Sequence, residues 1–153
     1  MNKMATLLAA TAILGILAIP EAYGQRGPRG RAGGGGWGAG SQYNRLYNTN
    51  TVETVSGEVI AVNHITPTNG MSYGVHLELK TEKETVSVHL GPGWFIENQD
   101  TTIEPKDKVE IKGSRVTFDG KPAIIAAEVK KGAEVLKLRD QNGIPFWAGW
   151  RRL

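Results

Sequence analysis

The amino-acid sequence predicts an all-β domain, a small Greek-key barrel of five to six strands with little or no helix after the first 24 residues. Three observations carry that expectation. Short alternating or β-branched runs recur at close intervals between Val52 and Leu138, with turn signals between them. Gly57 and Gly113 interrupt two of the runs, where a sheet closing on itself has to bend. No helical period longer than a turn or two occurs in the same stretch.

The elements follow in order. Residues 1–24 open with the basic start "MNKM" and the apolar run "ATLLAATAILGILAI", which Pro20 ends. The small residues Ala22 and Gly24 then precede Gln25, the pattern of a cleavable signal peptide. The expected location is therefore periplasmic or extracellular, with no transmembrane segment once the leader is cut. A retained anchor is the alternative, but the run is shorter than the ~20 apolar residues a spanning helix needs. Residues 25–42, "QRGPRGRAGGGGWGAGSQ", read as a flexible Gly/Arg-rich tether with too little apolar surface to order itself.

The barrel is expected over 43–138, beginning near "YNRLYN". "TVSGEVIAVNHI" is the first strand and "TPTNGMS" a loop. "YGVHLELK" and "ETVSVHL" form a hairpin turning at Glu82 and Lys83. Gly91-Pro92-Gly93 ends that pairing, and "WFIENQD" is the one helix candidate, a turn at most. "EPKDKVEIKGSRVTF" is the fourth strand and "PAIIAAEVKK" the fifth. Residues 139–153 read as a hairpin around Asp140 to Gly143, with Asn-Gly suited to a type I′ turn, and an aromatic, basic tail of Trp147, Trp150, Arg151 and Arg152. That tail either docks on the barrel or meets an anionic partner.

The hydrophobic pattern fixes the hairpin register. Val75 faces Leu90, Leu77 faces Val88 and Leu79 faces Val86, which puts every apolar side chain on one face; a slip by one residue would scatter them. The same register sets His76 opposite His89 and Glu78 opposite Ser87 on the other face. Outward projection into solvent is the plain reading of that face. Phe95 and Ile96 are read as a cap on the barrel end.

The succession "VSGEVIAV", hairpin, "PKDKVEIKGSRV" and "GKPAIIAAEV" resembles small exported bacterial OB-fold proteins of the periplasmic type, and the similar OB-like domains associated with magnetosome and redox gene products. The resemblance spans roughly Val52 to Leu138. It implies an OB-like barrel that binds small charged ligands, although some such domains carry only a generic DNA-binding description. The long helix that a full OB-fold places between strands three and four is missing here.

Composition narrows the function. The chain has no cysteine, which excludes disulfides, a lipoprotein anchor, covalent c-type haem and thiolate metal sites, and its net charge is only +3. No Ser/His/Asp order, phosphate-binding loop or metal-hydrolase helix is found, so a non-enzyme is expected. The leading expectation is a binding module for a small ligand, a metal ion or an envelope protein, using a rim of His76, His89 and Trp94. Two cross-strand imidazoles could share a divalent metal, with Glu78 the nearest third ligand and His64 a more distant one; no other cofactor is expected. A single-stranded nucleic-acid binder is the alternative, through Tyr73, Lys80, Trp94, Lys112, Arg115 and Phe118. Glu78, Glu82, Glu84 and Glu110 interrupt that basic strip. A structural or assembly module of the cell envelope is the third reading.

Overall fold

In a computed structural model, which describes residues 36–68 and 70–148, six strands form one sheet. They are β1 (Val52–Ile65), β2 (Gly74–Lys80), β3 (Thr85–Pro92), β4 (Lys108–Phe118), β5 (Lys121–Lys131) and β6 (Glu134–Lys137). The one α-helix among the described residues is the single turn α1 (Gly93–Ile96), between β3 and β4. The signal-peptide reading falls outside the described residues, as do Trp150, Arg151 and Arg152.

The strand order is β3-β2-β1-β4-β5-β6, and a parallel pairing of β3 with β5, from Ser87↔Ala123 to His89↔Ile125, closes β1 to β5 into a barrel-like ring, with β6 added along the far part of β5. The expected all-β arrangement of five to six strands is therefore the observed one, as a barrel-like ring. Closure depends on β1, which pairs with β4 through Val52–Glu58 and with β2 through Glu58–Ile65. Gly57 sits at that change of partner, where a Cβ would collide with the Lys80 carbonyl. The associated bulge lies further on, at Ile60. Gly113 marks the shift of register between β4 and β5, and a Cβ there would run into the Ile125 backbone.

Val59, Leu77, Leu79, Val88, Ile111, Ile124 and Val129 are all 1% exposed or less and fill the ring. Each such side chain contributes about 1.5–3 kcal/mol through removal from water. The hairpin register holds for Leu77↔Val88, Leu79↔Val86 and His76↔His89. Val75 departs from it. It faces Gly91, because Leu90 is an extra residue on β3 and forms a bulge.

Three local expectations are corrected. Gly91 and Pro92 do continue β3: the bulge rephases the ladder, and Pro92 sits at its last position, beyond the stretch that β5 pairs. Lys137 and the residues before it pair back onto β5, leaving a single bridge, Arg139↔Pro145, where a final strand pair was expected. The turn between them is not type I′, since Asn142 lacks a positive φ and Gly143 alone has one, at 85°. Asp140 sets this turn, its Oδ1 accepting from the Asn142 and Ile144 amides at 2.8 and 2.9 Å.

The largest correction concerns the glycine-rich stretch. Its described part contains Trp37, which is 1% exposed, with Nε1 donating to the Ser72 carbonyl at 3.2 Å. Composition hid this, because one tryptophan buries far more surface than its glycine neighbours suggest. Trp147 from the other end of the domain meets Trp37 edge-on at 6.3 Å and donates to its carbonyl at 2.9 Å. At 2% exposure, Trp147 docks on the sheet.

Candidate functional site

The two ends cover the outer face of β2 and β3. His76 and His89 are therefore not on a solvated rim, as the strand pattern implied; they are 3% and 2% exposed. Their rings stack with centroids 3.7 Å apart and planes 10° from parallel. Tyr43 lies over the pair, its hydroxyl 2.7 Å from His89 Nδ1, and Phe118 closes edge-on at 5.0 Å from the His89 ring. Gly91 gives Trp147 its place beside them, since a Cβ would stand 2.8 Å from the indole.

Burial sets the protonation of this cluster. It lowers the His76 pKa to about 4 and that of His89 to about 3, with His76 and Arg139 adding to the shift at His89. Burial also raises the Tyr43 pKa, so the phenol keeps its proton. A protonated phenol both donates and accepts, so the hydroxyl pairs with His89 Nδ1 in either tautomer of the ring. His76 Nε2 has no partner among the described residues. The result is a dry, neutral pair at pH 7.

This geometry does not suit a shared metal ion. A ligating lone pair lies in the plane of its ring, and two stacked rings with centroids 3.7 Å apart and planes 10° from parallel share no in-plane point at ~2.0–2.1 Å from both nitrogens. Glu78 is exposed instead of turned toward the pair. His64 stands elsewhere, 3.6 Å from Glu97 and stacked on Tyr73 at 4.6 Å. Among the described residues no three such ligands gather at one point.

The remaining candidates also disperse. Trp94 is half-buried on α1, edge-on to Phe95 at 6.5 Å, and Phe95 and Ile96 pack on the core as a cap. Tyr73 is 38% exposed, but its hydroxyl donates to Glu97 at 2.7 Å. Lys80 and Lys112 are exposed. Arg115 is held by Glu53 and by both oxygens of Glu84, so its charge is already met within the protein. Phe118 is occupied by His89 and Tyr43. The face of β2 and β3 that carries the histidines is covered by the chain's own aromatics.

Two features escaped sequence reading. One is a groove of about 230 Å³ beside α1, with Val62, Val75, Leu90, Ile96 and Ile103 on its floor and His64, Glu97, Gln99, Thr101 and Thr102 around it. It gathers residues from four separate segments, and no local pattern announces it. The other is Arg139, 5% exposed. Leu138 and Arg139 both donate to the Ala127 carbonyl, at 2.8 and 3.1 Å. That doubled contact breaks strand alternation and turns both side chains inward.

The MamS/MamX magnetosome protein family matches residues 51–136. The chain belongs to that family. This bears out the magnetosome side of the resemblance drawn from the strand motifs. The MamS/MamX span begins one residue before β1 and ends within β6, so it contains the whole ring. Trp37, Tyr43, Arg139 and Trp147 lie outside it. No curated protein matches the chain. Among the described residues no helix is long and apolar enough to cross a membrane.

Proposed function

We propose that the protein is an exported, non-enzymatic member of the MamS/MamX family that works in the envelope of a magnetosome-forming cell by binding a protein partner. The groove beside α1 is the observation that supports this reading. Its floor is apolar and its edge is polar, and the exposed Tyr73 ring stacks on His64 of that edge at 4.6 Å. A concave apolar floor with a few convergent polar groups is the usual form of a binding site. A partner's apolar side chain would fill the floor, while His64 and Glu97 would orient it through hydrogen bonds. The neutral, dry histidine pair offers no acid or base to a substrate at pH 7, which supports binding over catalysis.

The test is complementation of a deletion strain, with magnetosome formation as the readout. Wild type and Thr117→Ala, an exposed change away from the groove, should both restore it. Thr102→Trp, which fills the groove from its exposed edge, should fail although the protein is exported and folded. Full restoration by Thr102→Trp would overturn the groove assignment, and no effect of the deletion itself would overturn the magnetosome role.

A further inference from the structure

Arg139 is a buried cation that the fold does not neutralise. A guanidinium offers five N–H donors. Among the described residues only Nη1 is used, donating to the Gly143 carbonyl at 3.1 Å, while Nε is buried without a partner. None of the ion pairs among the described residues involves it. The Tyr47 and Trp147 rings flank it at 5.4 and 5.1 Å, which steadies the charge but leaves the N–H groups unmet. Burial lowers its pKa to about 10, so the charge persists at neutral pH. A buried charge of this kind is costly without an anion beside it.

Arg139 also lines a cavity of about 390 Å³. Lys112 and Lys137 stand on the cavity wall together with Glu128 and Asp140, so the surrounding charges cancel. Asp140 is committed to its own turn through the Asn142 and Ile144 amides. One positive charge, that of Arg139, is therefore left over. Tyr47 and Phe146, the latter 47% exposed, add aromatic wall to the same cavity.

We propose that this cavity binds the carboxylate of a small organic acid, held by the free N–H groups of Arg139 with its apolar portion between Tyr47 and Phe146. A planar carboxylate matches the guanidinium fork, and a single negative charge matches the single uncompensated cation. A dianionic phosphate would bring an extra charge toward Glu128 and Asp140. The site is separate from the groove beside α1 and shares no lining residue with it.

Benzoate, propionate and inorganic phosphate, titrated into the full chain at constant ionic strength, test the proposal. The readout is the NMR signal of the Arg139 Nε–H group, assigned by its loss in Arg139→Lys. Benzoate and propionate should shift it saturably, benzoate more tightly. Arg139→Met should weaken benzoate binding, followed by calorimetry, by about tenfold or more, the loss expected for a charge-assisted hydrogen bond. Should Arg139→Met fail to fold, Arg139→Lys carries the test, because it keeps the charge and loses the fork. Absence of a saturable shift, or equal affinity in a folded Arg139 variant, overturns the site. Phosphate binding as tightly as benzoate overturns the carboxylate assignment.

Discussion

His64 and the His76–His89 pair project from the same closed sheet into opposite environments. The His64 side chain is 57% exposed, stacked on Tyr73 and close to Glu97. His76 and His89 are 3% and 2% exposed, stacked on each other under Tyr43, Phe118 and the two end segments. The difference comes from Tyr43 and Phe118, which close directly on His89, and from Trp37 and Trp147, which are remote in sequence and meet over β2 and β3 beside them. Alternation along a strand tells which side chains share a face; whether that face is wet depends on what else the chain brings to it.

Removing the cover should have the largest effect. Trp147→Ala should cost about 3–5 kcal/mol in denaturant unfolding, as expected for a buried tryptophan, and should expose the histidines. A cost below about 1 kcal/mol, the scale of surface changes, would mean that the cover is superficial.

Acid should act next, through the pair. In the folded protein both imidazoles titrate below the free value of 6.5, His76 at about 4 and His89 at about 3. The unfolded chain therefore takes up protons first as the pH falls. Their contribution to stability is complete above pH 6.5 and is lost as the pH falls from there through the folded-state values. The slope approaches about 1.4 kcal/mol per pH unit for each histidine while only the unfolded form is protonated. Chemical denaturation between pH 7 and pH 5 should show it, and His89→Gln should reduce the slope. A pH-independent midpoint would contradict the burial.

Tyr43→Phe should be smaller, about 1–3 kcal/mol, because it leaves His89 Nδ1 buried without its hydrogen-bond partner. At the wet end of the comparison, Glu78→Ala should stay within about 0.5 kcal/mol of wild type. Glu78 shares a face with the pair but lies beyond the cover. A cost equal to that of Tyr43→Phe would extend the dry region along the whole face.

The same contrast shows what was legible in the sequence. The ring could be read because its signals are local: apolar alternation in β2 and β3, and glycines where β1 and β4 change partners or register. The pairing of His76 with His89 followed from that alternation. The environment of the pair did not, since its cover comes from Tyr43, from Phe118 at the end of β4, and from two tryptophans, one in a glycine-rich stretch and the other beyond an Asp-set turn. Arg139 was hidden for a related reason, as two consecutive amides on the Ala127 carbonyl override the strand period. The groove beside α1 draws on four segments and carries no motif.

The most direct test of the covered face is a proton NMR titration of the imidazole Cε1 signals in the folded chain, assigned with His76→Gln and His89→Gln. The account predicts that neither His76 nor His89 titrates between pH 8 and pH 5, with midpoints at about 4 and about 3. Midpoints near the free-imidazole value of 6.5 for both would show a solvated pair and contradict the account.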